Sequence, residues 1–325
     1  MWGLVVSTAL YALWNLILLV SSENLLRRYY EPLVTILSPG RIVMWVSIVL
    51  LSDSLPQLYA VVDRYMGSYL QAGAIAALNY AGLTAGLPTS NIGVAISTAI
   101  LPFLSDADSA NDVDRTRSII DLTIRWALLI SIPIAVWMLI FRTEIIYFLF
   151  FRGAFDADAL SVTSSALSAA AFGIVTVALA VVWSRQFYAS RSWKPIMLIA
   201  VGALIAKTIF SVAFVPRFGS SGFALSTSCA YVATAVLSGY MQRDHIRSYW
   251  RDWLVVGAKS LVLVGVPAIA GYSIIEFLDI AQSSLRVLVA VGSIAMGAAT
   301  MALGGHRWGI SQMSEVTALI QRRRT

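Results

Sequence analysis

Nine long apolar segments follow one another along this chain of 325 residues. Each has between 18 and 29 residues, and an α-helix needs about 20 to cross the hydrocarbon core of a membrane. The predicted segments are 2–20, 42–62, 75–103, 119–141, 159–183, 195–215, 222–241, 253–277 and 287–304. A chain with this pattern crosses a membrane repeatedly.

The composition indicates which kind of membrane fold these segments form. Apolar residues make up 58% of the chain and charged residues 12%, and the mean hydropathy is +0.78. Inside a membrane every backbone polar group must be bonded within the protein, which helices and closed barrels achieve. Barrel strands are short segments of alternating polarity, whereas these segments are long and continuously apolar. We therefore predict an all-α, polytopic transmembrane helical bundle of about nine spans.

In such a bundle, successive connections between spans lie alternately on the two sides of the membrane. Lys and Arg residues are distributed unevenly between these two sets of connections. The richer set contains Arg27, Arg28, Arg115, Arg117, Arg185, Arg191, Lys194, Arg243, Arg247, Arg251, Arg307 and Arg322–Arg324. The poorer set contains Arg64, Arg142, Arg152, Arg217 and Arg286. Because cytoplasmic loops carry the excess of basic residues, we expect Met1 outside the cytoplasm and Thr325 inside it. No basic region precedes the first segment, so we do not expect a cleaved signal peptide.

The net charge of +6 follows from this distribution. We interpret it as a determinant of topology and as an attraction to anionic phospholipids, and we expect no nucleic-acid partner. The tail, residues 305–325, has apolar residues at three- and four-residue steps, which predicts a short amphipathic helix on the cytoplasmic surface. A frayed terminus is the alternative.

Side chains that carry soluble-enzyme chemistry are sparse. Cys229 is the single cysteine and lies in an apolar segment, and His245 and His306 lie in separate connections, so we expect neither a disulfide framework nor a metal site. An acidic run lacks the spacing of an EF-hand and is interpreted as a solvated loop. Its members are Asp106, Asp108, Asp112 and Asp114.

Lys207 is the most informative polar residue within a predicted span. It lies about ten residues from the external end of its helix, which places it roughly 15 Å below the membrane surface. A charge at that depth costs on the order of 2.5–3.5 kcal/mol unless it is paired or reaches water, so we expect a partner. Asp53 and Asp63 are the candidates, and Thr227 lies at a similar depth to Asp63. A surface pair of Asp63 with Arg64 is the alternative.

Residues 76–105 match the sequence pattern of a protein family. Further matches to the same family lie before and after this segment, in the order in which the family has them. Its matches are Ala77–Ala81, Leu87, Pro88, Gly93–Ala95, Thr98, Ala99, Leu101 and Pro102. The flanking matches are Val62–Arg64, Phe150, Arg152–Asp156, Phe187–Ala189, Pro195, Gly219, Gly222, Ala224, Leu225, Thr227 and Ser228. Together they resemble the MurJ (MviN) lipid II flippases of the MOP superfamily, over most of residues 41–241.

The resemblance implies a multi-pass protein of the bacterial inner membrane that moves a lipid-linked sugar by alternating access and performs no covalent chemistry. It implies that residues 1–38 are the last helix of an N-terminal lobe and a cytoplasmic linker, and that residues 39–245 are a six-helix C-terminal lobe. Residues 246–304 are then two additional transmembrane helices. Most of the N-terminal lobe is expected to be missing, and Asn79 and Arg64 are candidates for the substrate cavity.

One departure from the family pattern concerns the substrate. The Asp-Arg pair that follows the matched Asn-Tyr-Ala is Gly82 and Leu83 here. In the family that Arg belongs to a cationic cavity thought to hold the pyrophosphate of lipid II. Replacing Arg by Leu removes a bidentate phosphate donor. This change favours a flippase for a different lipid-linked oligosaccharide as an alternative.

A second departure concerns an ion. The resemblance to members that have a sodium site assigns its positions here to Asp63, Lys207, Ser211, Phe223 and Thr227. An ammonium cannot act as an oxygen ligand, so we expect Lys207 to place its own cation where sodium would lie, paired with Asp63. No cofactor is then expected.

Two further functions remain as alternatives to a flippase. The first is a membrane scaffold or an inactive, truncated remnant, and the last is a membrane transferase.

Overall fold

The computed structural model describes residues 55–70, 73–190, 192–242, 249–277 and 283–307. Within these ranges the chain forms nine α-helices and no strand. The helices are α1 (Leu55–Gly67), α2 (Ala74–Ser109), α3 (Val113–Ile140), α4 (Arg142–Phe150), α5 (Ala157–Ala189), α6 (Trp193–Phe218), α7 (Ser220–Met241), α8 (Trp250–Phe277) and α9 (Ser283–Arg307). The predicted all-α fold class is confirmed.

Six of these helices are long and apolar enough to cross a membrane, namely α2, α3, α5, α6, α7 and α8. They correspond to six predicted segments, which are therefore confirmed as helices of spanning length. The predicted segment 2–20 lies outside the described residues, and segment 42–62 is described only from residue 55, where α1 begins. The ninth segment is α9, whose apolar part, Leu285–Met301, is shorter than the six. The sequence did not predict the short helix α4.

Short connections set the up-and-down order of the helices. The Asp112 side chain caps α3 by accepting from the backbone N–H of Arg115 at 2.9 Å, and Asp156 caps α5 through Ala159 at 2.8 Å. Such caps satisfy one of the free N–H groups at a helix start. Gly219 alone separates α6 from α7 and has φ +55°, a left-handed conformation that glycine adopts without strain.

Apolar stripes on neighbouring helices form the core. On α2 the stripe recurs every four residues, at Ile92, Ile96, Ile100 and Leu104, and packs against α3 and α5. A four-residue recurrence keeps these side chains on one face of a helix. Towards the start of α2, the small residues Ala81 and Ala85 pack against α4 and α5. α5 is therefore the central helix of this lobe.

The remaining helices attach on two sides of that core. α6 and α7 form an antiparallel pair, and Tyr59 of α1 packs with Ala203 of α6 and Ala230 of α7. α8 and α9 pack on each other and on the end of α3, where Phe141 is fully buried. We call one end of the bundle the Gly73 end, where α2 begins and α6 ends, and the other the Asp112 end, where α2 ends and α6 begins.

Candidate functional site

Three helices bring a set of polar side chains together inside the bundle. α1 supplies Asp63. α6 supplies Lys207 and Ser211, which are one turn apart and therefore on the same face. α7 supplies Ser226, Thr227 and the backbone carbonyl of Phe223. We call these six residues the Lys207 cluster. The Lys207 side chain is 0% exposed and that of Asp63 is 17% exposed.

The Lys207 ammonium is surrounded by four oxygen atoms. Its Nζ donates to the Thr227 hydroxyl at 2.8 Å, to the Ser226 hydroxyl at 2.9 Å and to the Phe223 carbonyl at 3.3 Å. Asp63 Oδ1 lies 2.6 Å from Nζ, but without the angle of a hydrogen bond. The three N–H bonds of an ammonium thus match three acceptors, while Asp63 supplies the countercharge.

A second layer of hydrogen bonds orients those acceptors. The Ser211 hydroxyl donates to Ser226 at 3.0 Å. The hydroxyls of Ser226 and Thr227 both donate to the Phe223 carbonyl, at 2.8 and 2.9 Å. Their lone pairs are therefore free to face the ammonium. Because the hydroxyls of Ser226 and Thr227 both accept from Lys207 and donate to the Phe223 carbonyl, the buried charge lies in a connected polar network.

Close packing of α6 against α7 makes this geometry possible. A Cβ atom on Gly222 would lie 2.6 Å from the Phe214 carbonyl oxygen and 2.8 Å from the Val215 Cα. Both neighbours are backbone atoms, so any larger residue would push the two helices apart. Gly222 thus allows the approach that lets the Lys207 side chain reach the carbonyl at the first turn of α7.

The structure brings together most of the residues that the sequence assigned to an ion site. Asp63, Thr227 and the Phe223 carbonyl all contact the Lys207 ammonium, whereas Ser211 contacts it only through Ser226. Sequence reasoning did not include Ser226. Its hydroxyl lies among the small residues of α7 and indicates no buried polar contact until α6 is packed against it.

The other candidates lie elsewhere. Asp53 lies outside the described residues. Arg64 and Asn79 are exposed side chains of α1 and α2, and no described hydrogen bond joins either of them to the Lys207 cluster. Among the described residues, no group of three or more His, Cys, Asp or Glu could hold a metal ion.

The outer face of α2 is exposed along most of its length. It carries Asn79, Leu83, Leu87, Asn91, Val94 and Thr98. Leu83, which occupies the position of the family's Arg, is 63% exposed. No Lys or Arg occurs anywhere in α2. This face could therefore contact a ligand through apolar and amide groups, but it offers no cation to a phosphate.

An open cavity of about 1110 Å³ lies at the Gly73 end, between the starts of α2 and α5 and the connection of α6 to α7. Its wall includes Tyr80, Phe150 and Phe155, with ring centroids 4.8–6.3 Å apart. Arg152 and Asp156 also line it. The aromatic, Arg and Asp residues that follow α4 in the family pattern thus gather around one opening.

A family model for the lipid II flippase MurJ matches residues 2–290 of the chain. The chain belongs to the MurJ family. One relative is the lipid II flippase MurJ of Burkholderia cenocepacia, 31% identical over 219 residues, which are 66% of this chain and 42% of the relative. Another is the probable lipid II flippase MurJ of Rickettsia prowazekii, 29% identical over 196 residues, which are 60% of this chain and 38% of the relative.

Solved structures show the same fold. A lipid II flippase MurJ in an inward closed conformation superposes with a TM-score of 0.62 at 22% identity, covering 76% of this chain and 51% of that one. A MATE protein in a bent conformation gives a TM-score of 0.55 at 15% identity, covering 82% of this chain and 64% of that one. The chain spans about two fifths of the length of the two MurJ relatives above. It is a multi-pass membrane protein of the MurJ fold.

Proposed function

We propose that this chain takes part in moving lipid II, an undecaprenyl-pyrophosphate-linked sugar, across the bacterial inner membrane by alternating access and without covalent chemistry. Membership of the MurJ family over residues 2–290 carries this proposal. The helical lobe built around α5 supports it, because alternating access moves packed bundles as units. Arg64 of α1 and Asn79 of α2 are proposed to contact the substrate from this lobe.

A reconstituted flipping assay tests the substrate. Vesicles that contain the purified chain together with the N-terminal lobe of a MurJ relative, and fluorescent lipid II on one leaflet, should expose the label on the other leaflet faster than vesicles that contain that lobe alone. Asn79→Leu should slow this exchange, whereas Asn91→Leu, on the same face three turns away, should slow it less. Equal rates in vesicles with and without the protein would contradict lipid II transport by this chain.

A flippase for another lipid-linked oligosaccharide is the second candidate. The observation that favours it is Leu83, because α2 offers no basic side chain to a pyrophosphate. In the same vesicles, an undecaprenyl-linked oligosaccharide without the peptide should then move faster than lipid II. Leu83→Arg should increase the rate for lipid II if the missing guanidinium is what limits its binding.

We propose that transport also requires a second lobe, since alternating access needs two bundles around a central site. In a strain depleted of its lipid II flippase, the chain alone should not restore growth. Co-production with the N-terminal lobe of a MurJ relative should restore it. Growth with this chain alone would contradict the two-lobe requirement, and an inactive remnant would restore growth in neither case.

We further propose that the Lys207 ammonium acts in place of a coupling sodium ion. The four oxygens around Nζ support this, since they are the hard ligands that an alkali cation also uses. Flipping by the unmodified chain should then be independent of sodium concentration. Lys207→Ser should lose activity and regain part of it as sodium is raised, while potassium chloride at equal ionic strength should not restore it.

The proposed orientation places the C-terminus and the Asp112 end in the cytoplasm, because the basic connections lie on that side. After Cys229→Ala, single cysteines at Asp108 and Arg247 should be shielded from an impermeant thiol reagent in intact cells. A cysteine at Ala157 should react. The opposite labelling pattern would reverse the orientation.

A further inference from the structure

The open cavity of about 1110 Å³ at the Gly73 end has an aromatic wall. The Tyr80 ring of α2 meets Phe155 edge-on, at 84° with 5.5 Å between the ring centroids, and meets Phe150 at 51° and 4.8 Å. Tyr80 remains 38% exposed although two rings pack against it. Because its neighbours fix the orientation of the ring, the cavity presents a flat apolar surface.

Accessible polar groups of both hydrogen-bonding types lie around that ring. Arg152, Asp156 and Asp158 line the cavity, and all three are exposed. Within the described ranges, no hydrogen bond or ion pair involves the Arg152 guanidinium or the Asp158 carboxylate, while Asp156 uses Oδ1 to cap α5. A guanidinium only donates and a carboxylate only accepts. The cavity therefore offers a ligand both donors and acceptors that water can reach.

Two helix starts and a pair of hydroxyls complete the polar part of the wall. α2 and α7 begin there at Gly73 and Gly219, and neither start has a side-chain cap. The N–H groups of a first helical turn have no partner within the helix. Ser221 and Ser165 also line the cavity, and the Ser221 hydroxyl donates to that of Ser165 at 3.0 Å.

This combination of groups distinguishes between classes of ligand. The two carboxylates offset the guanidinium and the positive ends of the two helix dipoles, so the cavity does not favour a phosphate. A lipid chain would cover these charged groups without bonding to them, which is costly. A sugar ring has C–H groups that pack on an aromatic face, and its hydroxyls both donate and accept. An aromatic wall with a few convergent polar groups is typical of a small-molecule site.

We propose that the cavity at the Gly73 end binds a saccharide, namely the sugar headgroup of the lipid-linked substrate. One sugar ring would stack on Tyr80 while its hydroxyls bond to Arg152 and Asp158. In the proposed orientation this end faces away from the cytoplasm, so the cavity would hold the headgroup after it has crossed the membrane. The source of the saccharide rests on the proposed function, whereas the binding of a saccharide does not.

Chitobiose, a soluble disaccharide of N-acetylglucosamine, is a suitable probe for the purified full chain in detergent. Saturation-transfer NMR should show transfer to the C–H protons of its rings, and the signal should saturate as chitobiose is raised. Tyr80→Leu should weaken chitobiose binding by on the order of tenfold, because Leu is apolar but has no flat face. Phe148→Leu is the matched control, since Phe148 is a 69% exposed aromatic residue of α4 outside the cavity lining. It should leave binding unchanged.

Arg152→Gln tests the polar contacts at an exposed position, where the substitution should not disturb folding. It should weaken chitobiose binding several-fold, because a charge-assisted donor is lost. Arg142→Gln, at an exposed Arg that begins α4 outside the cavity lining, should not weaken it. Lipid II in the same detergent should displace chitobiose, since its headgroup would occupy the same cavity.

The saccharide site and its link to transport fail in different ways. Absence of saturable transfer, or equal binding by the Tyr80→Leu and Phe148→Leu variants, would overturn the saccharide site whatever the flipping assay shows. Saturable chitobiose binding that lipid II does not displace would overturn the substrate headgroup as the occupant, which is the part that rests on the proposed function.

Discussion

Within the part of the chain that the structure describes, the Lys207 cluster and a second ion-pair network differ in their access to water. The Lys207 cluster joins α1 to α6 and α7, and its Lys is fully buried. The second network joins α3 to α8 and consists of Asp121, Arg125, Asp252 and Trp253. Its Arg and Asp121 side chains are 17% and 13% exposed, while Asp252 is 59% exposed.

The bonding in the two networks follows from that difference. Arg125 binds Asp121 through two nitrogen atoms at 2.8 and 3.0 Å and reaches Asp252 at 3.3 Å, and the Trp253 indole N–H donates to Asp121 at 2.7 Å. Water can replace Asp252 there. No water needs to be invoked for Lys207, whose three N–H bonds all have protein acceptors. Losing one partner should therefore cost much more in the Lys207 cluster.

Lys207→Met should have the largest effect. Met has a similar length but no charge, so Asp63 would remain in the bundle without its countercharge. Breaking a buried pair in this way typically costs about 3–5 kcal/mol, measured as the free energy of unfolding in detergent. Lys194→Met, at an exposed Lys on the same helix, is the control and should change stability by about 0.5 kcal/mol or less. Equal effects would show that burial does not distinguish the two lysines.

Gly222→Ala should have the next largest effect. Its Cβ would lie 2.6 Å from a backbone oxygen of α6, so the α6 and α7 pair must separate and the Lys207 cluster must loosen. Overpacking of this kind costs about 1–3 kcal/mol or more, measured by thermal unfolding. Gly265→Ala in α8, which has no atom within 4 Å of the added Cβ, should be neutral or stabilising. A neutral Gly222→Ala variant would contradict the close approach.

Trp253→Phe should have a smaller effect on the network of α3 and α8. It removes the indole donor to Asp121 but keeps an aromatic ring, at a cost of about 1 kcal/mol for one hydrogen bond. Trp250→Phe, at a 49% exposed position on the same helix, should have little effect on the melting temperature. If Trp253→Phe destabilised as much as Lys207→Met, the comparison between the two networks would be wrong.

The sequence predicted the six long spans because unbroken apolar runs of that length have few other structures. It did not predict α4, because a sequence of nine residues between two spans is too short to distinguish a helix from an irregular connection. Lys207 was identifiable as a buried cation from its depth alone. Ser226 was not, because a hydroxyl among small residues carries no signal until the neighbouring helix is known.

The network of α3 and α8 could not be predicted either. Asp121 and Arg125 are four residues apart near a predicted helix end, which is typical of an exposed pair. Their partners Asp252 and Trp253 lie 127 and 132 positions away in the chain from Arg125 and Asp121 respectively. Only tertiary packing shows that this pair holds α8.

The most direct test is a pair of double-mutant cycles on unfolding in detergent. In the first cycle, Asp63→Asn and Lys207→Met should each lower the free energy of unfolding more than the double variant does. The coupling energy between Asp63 and Lys207 should lie in the upper part of the roughly 0.5–3 kcal/mol range that is typical of residues in contact. For Asp252→Asn and Arg125→Met the coupling should be about 0–1 kcal/mol, as for exposed pairs. A coupling between Asp63 and Lys207 that is indistinguishable from zero, or no larger than that of the second pair, would contradict a buried cation paired across α1 and α6.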